Sequence, residues 1–313
     1  MTRYRDRYEE IYSLLSRTEL QKGSQSIQDL SLGPELFGAD TELWLGFYTR
    51  EGLHIALEKY GFFHELEVLG FHNLRVEIRT DDPEEHLFRL WSVDPPVDEP
   101  LIELVVRRDF LHAQLGQAEN ISTPYIPVLN VDWLMLQNPL ATFTERRPPL
   151  PGQNFPGLGV GPQVLEMLRN ICHRLQLGGI VTVPSHFHNA IFYSTEFQHF
   201  DPYYQGAFLA LCRDIVPQCK NSVAAASWAL HWEMVRNRKG PAEPFPWFQH
   251  LLVNPMNEEL TSYFEHPDFR QNVQQGLTEH DFVLYESPLK QALENRGIVP
   301  FDSEKIETWV PEE

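Results

Sequence analysis

The clearest pattern of hydrophobic and polar residues lies between residues 157 and 183. Hydrophobic residues recur at spacings of three and four over residues 164–175, which predicts a helix with one face in a core. Gly178 and Gly179 follow, as is common where a helix ends. Residues 180–183 are all β-branched and predict a short buried strand. The polar positions of the predicted helix are Gln163, Glu166, Arg169, Asn170 and Arg174.

A glycine-rich segment precedes this helix. Gly157, Gly159 and Gly161 alternate with Leu158 and Val160, so the backbone can adopt positive φ and expose its N–H groups. Exposed N–H groups at a helix N-terminus favour a phosphate or a pyrophosphate. The alternative is a tight turn that only leads the chain into the helix. The spacing matches neither a Walker loop nor the dinucleotide-binding motif, because the Gly-Lys-Ser/Thr and the third glycine are missing.

Alternation of hydrophobic and charged residues predicts strands at residues 74–79 and 101–107, and a long apolar strand at 125–136. Residues 80–84 predict a turn that leads into a short helix. Helical spacing is present at residues 4–20, 207–216 and 223–236, and a polar linker follows the first of these at 21–33. These patterns divide the chain into three parts. The parts are an N-terminal helix and linker (1–34), a core (35–205) and a mainly helical C-terminal extension (206–313).

Composition narrows the classes of function. A formal net charge of −19 argues against nucleic acid or an anionic membrane as the main partner, since both require a basic surface. A basic acceptor such as an amine is compatible with this charge. Three cysteines without paired spacing predict a reducing cytoplasm and no structural zinc. The charged N-terminal residues lack the apolar segment of a secretory signal, so we expect a cytoplasmic protein without membrane contact.

The order of glycine turn, helix, strand and second helix resembles the core of the GNAT N-acetyltransferase superfamily. In that family a Gln/Arg-x-x-Gly-x-Gly/Ala loop binds the pyrophosphate of acetyl-CoA, and a later helix carries an Asn-x-x-Ala-x-x-x-Tyr-like segment. Here the loop covers residues 153–161, the second helix covers 186–193, and residues 197–200 begin a closing strand. Gln153 lies one position too far from Gly157 for the family pattern, and His186 occupies the position of the family's asparagine.

The resemblance implies an α+β fold with a GNAT-like mixed, mostly antiparallel central sheet flanked by helices, and an α-helical C-terminal extension. It also implies acetyl-CoA as the acyl donor, no metal, and direct attack of an amine on the thioester. The acceptor amine is not specified by the sequence, and the extension is suited to form a homodimer surface, to cover the cofactor or to shape the acceptor pocket. The residues implied in cofactor binding are Gln153, Gly157, Leu158, Gly159, Val160, Gly161 and Asn189.

Three residues are candidates for catalysis under this resemblance. Tyr193 matches the family tyrosine that protonates the departing thiolate, a role that a phenol of pKa about 10 can fill. Asp132 and Glu103 lie in strands that would line the cleft, and either carboxylate is a candidate to accept the proton of the amine. Cys172 lies on the predicted buried face of the helix, so it is a poor nucleophile.

Two other functions remain open from the sequence. A GNAT-shaped protein without catalysis would bind a nucleotide-like or coenzyme ligand, or act as a scaffold. A metalloenzyme would be centred on residues 186–201, where imidazoles and a carboxylate are close in sequence and are metal ligands in many enzymes. The residues of that second constellation are His186, His188, His199 and Asp201.

Overall fold

The structure is a computed structural model that describes residues 4–23, 43–82, 84–112, 124–241, 243–296 and 298. The predicted linker at 21–33 therefore lies outside the described residues from position 24 onward. Within the described ranges, no helix combines the length and the apolar character needed to cross a membrane.

The chain forms two compact units. Unit 1 contains Met1–Asp109, Leu129–Pro139 and Gly157–Gln176, and unit 2 contains the remaining segments.

Seven strands form one central sheet in the order β1-β2-β3-β4-β5-β8-β6, and two further strands, β7 and β9, pair with each other. The pairs β1 with β2, β2 with β3, β5 with β8, and β6 with β8 are antiparallel. This mixed, mostly antiparallel sheet flanked by helices confirms the predicted fold class. The strands are β1 (His72–Asp82), β2 (Glu85–Asp94), β3 (Ile102–His112), β4 (Tyr125–Leu136), β5 (Gly179–Thr182), β6 (Gln198–His199), β7 (Val235–Asn237), β8 (Leu252–Pro255) and β9 (Phe282–Leu284).

The helices precede β1, flank β5, and make up most of the C-terminal part. Four of them come before the first strand, and α5 and α6 lie on either side of β5 in the chain, as the resemblance implies. The helices are α1 (Arg5–Leu14), α2 (Arg17–Leu20), α3 (Arg50–Lys59), α4 (Phe62–Val68), α5 (Gly161–Leu175), α6 (Phe187–Tyr193), α7 (Pro202–Gln218), α8 (Val223–His231), α9 (Glu258–Glu265), α10 (Pro267–Glu279) and α11 (Glu286–Asn295).

The prediction of a short helix after residues 80–84 is wrong. β1 and β2 form an antiparallel hairpin there, with Asp82 opposite Glu85. Leu87, Phe88 and Leu90 of β2 are buried in the core. Because Glu85, Leu87 and Leu90 are good helix formers, local propensity favours a helix, and the burial of the hydrophobic side chains in the sheet overrides it.

The core of unit 1 covers both faces of α5. Its polar side is not exposed to water, because Glu166 is buried and pairs with Arg5 of α1 at 3.3 Å. Asn170 is also buried, and its side-chain amide donates to the carbonyl oxygen of Tyr8 and to the hydroxyl of Tyr60. The helical periodicity of residues 164–175 is confirmed, and the polar positions form a second packing face against α1.

Unit 2 has a separate core that includes residues from far along the chain. Val181 of β5, Val253 of β8 and Phe264 of α9 belong to one buried cluster. Although the sequence predicts a core ending at residue 205, β8 lies between β5 and β6 of the central sheet. The helix predicted at 223–236 is also too long, because α8 ends at His231 and β7 follows. The C-terminal extension therefore contains short strands among its helices.

We predict that Gly206→Ala destabilises the protein, because a Cβ at position 206 would lie 2.2 Å from the backbone oxygen of Val273 where α7 packs on α10. Overpacking of this kind lowers the free energy of unfolding by about 1 to 3 kcal/mol. Gly157→Ala is the matched control, since its Cβ would meet only one oxygen at an ordinary 3.7 Å. Urea denaturation of both variants measures the difference, and equal stabilities would contradict this packing.

Candidate functional site

The C-terminal half of β4 is poorly covered. Along β4 the alternation of buried and exposed residues breaks, with Asp132 and Trp133 exposed in succession. From Trp133 to the end of the strand at Leu136, every residue is exposed or half-buried. Asymmetric burial of this kind leaves the end of the strand accessible to a ligand.

The glycine-rich segment lies beside this end of β4. A Cβ built on Gly157 would lie 3.7 Å from the backbone oxygen of Leu136, and one on Gly161 would lie 3.9 Å from the Leu136 side chain. Gly159 has a φ of +77° and open space in place of a side chain. Leu158 and Val160 are buried, whereas Gly157 and Gly159 are exposed. The two apolar side chains therefore anchor the loop while its glycines face solvent.

The loop leads directly into the N-terminus of α5. No side chain caps this helix end, and its first turn contains no acidic residue. The positive end of the helix dipole is therefore not neutralised locally, which favours an anion at this position. Gln163 in the first turn is 3% exposed, and its side-chain oxygen has no hydrogen-bond partner within the described part of the chain.

Gln153 forms a local turn upstream of the glycines in the chain. It belongs to unit 2, and it closes a local turn with Leu150, accepting from the Leu150 N–H through its side chain and donating its own N–H to the Leu150 carbonyl. The glycines belong to unit 1. The predicted role of Gln153 in cofactor binding stays untested, and its side chain is already occupied.

The two candidate carboxylates each pair with an arginine. The carboxylate of Asp132 accepts from Arg107 of β3 at 2.5 Å. The Glu103 carboxylate accepts from Arg89 of β2 at 2.6 Å, and Arg89 also contacts Glu77 at 3.6 Å. Both carboxylates therefore lie in ion pairs between neighbouring strands, and their role as a general base stays a prediction.

Tyr193 is the last residue of α6, and its ring packs on Phe197 at a centroid distance of 5.4 Å. Burial raises the pKa of its phenol. The phenol is therefore protonated at neutral pH, as a proton donor must be. Asn189 lies one turn earlier on α6 and is half-buried, with its backbone N–H bonded to the carbonyl of His186.

Three imidazoles gather at the start of α6. The rings of His186 and His188 stack with centroids 5.4 Å apart, and His231 of α8 meets His186 at 5.5 Å. The ring Nδ1 of His188 lies 2.8 Å from the hydroxyl of Ser227, which fixes the His188 ring. Burial lowers the pKa of His188 to about 3 and also lowers the pKa of His186. Both imidazoles are therefore neutral at pH 7, and the lowered pKa values mean that they resist protonation.

Sequence reasoning missed the α8 side of this cluster. Trp228 stacks on Trp232 at 4.6 Å and meets His231 at 5.2 Å, and its indole N–H donates to the carbonyl of Pro149. Trp228, His231 and Trp232 have the spacing of one helical stripe, so the pattern contained the signal. The contact of His231 with His186 arises only in the tertiary structure.

The metal constellation predicted at residues 186–201 separates into two places. His199 is fully buried between Phe208 and Phe248, with ring centroids at 5.4 and 5.6 Å. Asp201 caps α7 by accepting the N–H of Tyr203. Across the ranges that the structure describes, no group of three or more histidine, cysteine, aspartate or glutamate side chains is arranged to hold a metal ion.

Cys172 is fully buried on α5, as predicted, and burial raises the pKa of its thiol to about 12. The thiolate is therefore scarce at neutral pH, which makes Cys172 unsuitable as a nucleophile.

No protein-family model matches the chain. No curated protein matches it. Among solved structures, the chain is similar to one described as "AtaT complexed with acetyl-methionyl-tRNAfMet", with a TM-score of 0.27 and 12% sequence identity. The match covers 39% of this chain and 85% of that chain. A similarity at this TM-score supports no statement about the function of this chain.

We predict that the free energy of unfolding decreases as the pH is lowered from about 6.5 towards about 3. The first value is the pKa of a histidine in the unfolded chain, and the second is the pKa of His188 in the folded chain. In that pH range the histidine is protonated in the unfolded chain and neutral in the folded chain. Each such histidine therefore lowers the free energy of unfolding by at most about 1.4 kcal/mol per pH unit. His188→Asn should reduce the slope of the unfolding free energy against pH, measured by urea denaturation from pH 4 to 7. The control is His64→Asn at an exposed position. Equal slopes in the two variants would show that His188 is not held neutral.

Proposed function

We propose that this protein is an acyl-CoA-dependent N-acyltransferase that transfers an acetyl group to an amine. One observation carries the proposal. The loop of Gly157, Gly159 and Gly161 combines a positive φ, open space and exposed backbone at the uncapped N-terminus of α5, and it lies beside the accessible end of β4. In this proposal the loop binds the pyrophosphate of the coenzyme.

Electrostatics support an anion at this place despite the net charge of −19. A pyrophosphate requires N–H donors and a positive local potential, which the N-terminus of a helix supplies. The N–H groups are available because no side chain caps α5. The local potential stays positive because the first turn contains no carboxylate. A side chain at position 159 would narrow the approach to the backbone, so glycine is the residue that allows close contact.

The pantetheine arm would then extend along the exposed end of β4, from Leu136 towards Trp133. An extended arm forms hydrogen bonds with strand backbone in the way that an added strand does. A backbone N–H in this segment would polarise the thioester carbonyl as the amine attacks. The acyl group moves directly from sulfur to nitrogen in one step, and Cys172 has no part in the transfer.

Two proton transfers complete the reaction. The attacking amine nitrogen forms the amide bond and loses a proton, and the carbon–sulfur bond breaks to release the thiolate. In this proposal the first proton passes from the amine nitrogen to solvent water as the amide bond forms. Tyr193 donates the second proton to the thiolate.

The ion pairs of the two carboxylates favour a second function, which is binding of acetyl-CoA without catalysis. Asp132 and Glu103 both form ion pairs with arginines of neighbouring strands. A protein that binds acetyl-CoA without transferring the acetyl group has no need of a base. Release of free thiol in the presence of a panel of amines distinguishes the two functions, because only the enzyme produces it.

We predict that Gly159→Ala weakens acetyl-CoA binding by about tenfold or more. An L-residue at a φ of +77° is strained by about 1 to 2 kcal/mol, and relief of the strain moves the N–H groups that grip the pyrophosphate. Gly70→Ala is the matched control, because Gly70 also has a positive φ, +93°, and open space. Calorimetric titration should give a normal Kd for Gly70→Ala. Equal Kd values in the two variants would mean that the glycines form only a turn.

We predict that Tyr193→Phe lowers kcat by about a hundredfold and leaves the Kd for acetyl-CoA nearly unchanged, because only the proton donor is removed. The phenyl ring keeps the contact with Phe197. Thiol release under saturating substrates measures kcat, and Tyr125→Phe at an exposed position is the control. A full rate in Tyr193→Phe would remove this residue from the mechanism.

A further inference from the structure

Unit 1 contains a cavity of about 80 Å³ that the proposed acyl transfer does not use. It lies among the N-terminal helices α1 to α4, the helix α5 and the face of strands β2 and β3. Most of its wall is hydrocarbon. The apolar lining residues are Leu15, Leu20, Leu53, Ala56, Leu57, Phe62, Phe88, Ile102, Leu104, Val164, Met167, Leu168 and Ile171.

The polar residues that line the cavity are few. They are Tyr12, Tyr48, Tyr60, Asn170 and Arg174. Burial raises the pKa of the Tyr48 phenol and raises that of Tyr60 to about 12, and the charge of Arg174 opposes the rise in both. The cavity therefore has a largely apolar wall that also includes the guanidinium of Arg174 and the phenols of Tyr48 and Tyr60.

The hydroxyl of Tyr48 is a donor without a partner. Tyr48 is 4% exposed, and within the described ranges its hydroxyl makes no hydrogen bond. Tyr60, which lines the same cavity, differs because its hydroxyl accepts from Asn170 at 3.2 Å. A phenol that lines a cavity and makes no hydrogen bond with the described residues is suited to donate to a bound molecule.

Arg174 supplies a positive charge that no carboxylate of the described chain neutralises. Its guanidinium lies 4.4 Å from the ring centroid of Tyr12 and donates to the Tyr12 carbonyl at 3.1 Å. Those contacts leave several of the five guanidinium N–H donors for another acceptor. Since the chain as a whole carries 44 acidic residues, a half-buried arginine that pairs with none of the described carboxylates is notable.

The solvent-accessible part of the lining marks the mouth of the cavity. Tyr12, Met167, Ile171 and Arg174 are half-buried, whereas the other lining residues are buried. Met167, Ile171 and Arg174 follow one stripe of α5, and Tyr12 belongs to α1. A ligand that enters between α1 and α5 therefore meets the cation first and the hydrocarbon wall beyond it.

We propose that this cavity binds a small monocarboxylate with a short or branched apolar tail. The tail fills the apolar body, and the carboxylate accepts from the guanidinium of Arg174 and from the hydroxyl of Tyr48. A planar carboxylate suits the fork of an arginine, which donates two parallel hydrogen bonds. The small volume of about 80 Å³ favours a short tail over a long one. This site is separate from the acyl-transfer proposal and stands or falls without it.

The test is calorimetric titration of the full chain with 3-methylbutanoate, compared with 3-methylbutan-1-ol, which has the same tail and no charge. We expect one saturable site for the carboxylate and binding of the alcohol weaker by about tenfold or more, since charge-assisted hydrogen bonds are lost. Octanoate should also bind at least about tenfold more weakly than 3-methylbutanoate. Non-specific apolar binding gives the opposite order, because each added methylene strengthens it.

Two variants test whether Arg174 and Tyr48 bind the carboxylate of the ligand. Arg174→Gln should reduce the affinity for 3-methylbutanoate by about tenfold or more and leave the affinity for the alcohol unchanged. Tyr48→Phe keeps the ring and removes the donor, and it should reduce the carboxylate affinity several-fold. Arg75→Gln is the matched control, because Arg75 lies over Trp91 and does not line the cavity. Thermal unfolding confirms that each variant is folded.

Three results would overturn the proposal. The first is the absence of saturable binding of 3-methylbutanoate to the wild-type chain. The second is an affinity that rises from 3-methylbutanoate to octanoate. The third is an unchanged carboxylate affinity in folded Arg174→Gln and Tyr48→Phe. None of these results concerns acetyl-CoA, so they leave the proposed acyl transfer untouched.

Discussion

The packing of α1 on the polar face of α5 is the constraint on which the candidate site depends. The buried Glu166 pairs with Arg5, and the buried Asn170 bonds to Tyr8 and Tyr60, so α5 is fixed along most of its length. Removing one member of a buried ion pair typically costs about 3 to 5 kcal/mol, because the other charge is left uncompensated. A helix held in this way fixes the direction of its dipole and the position of its first turn. The glycine loop is attached to that first turn.

A rigid helix end matters because hydrogen bonding to a phosphate rewards preorganised donors. Leu158 and Val160 anchor the loop in the core of unit 1, while Gly157 and Gly159 stay exposed beside β4. The acidic charge of the protein does not oppose an anion here, because the first turn of α5 contains no carboxylate. The first turn of α5 is thus a local exception to the acidic composition of the chain.

Sequence patterns predicted the long strand β4, the helix α5, the strand β5 and the helix α6, because strong periodicity and glycine punctuation mark each of them. They failed at β2, where residues of high helix propensity lie in a sheet, and at β8, which joins the central sheet from far along the chain. For the site, the local elements were predicted and their surroundings were not. The ion pairs of Asp132 and Glu103 and the contact of His231 with His186 are tertiary features that no local pattern encodes.

The central claim is that backbone amides of the glycine loop and the first turn of α5 bind the pyrophosphate of the coenzyme. Hydrogen–deuterium exchange of the full chain, with and without saturating coenzyme A, tests this claim most directly. The account predicts slower exchange in peptides that cover residues 157–164, since the N–H groups there become hydrogen-bonded. Saturated binding of coenzyme A with unchanged exchange over residues 157–164 would contradict it.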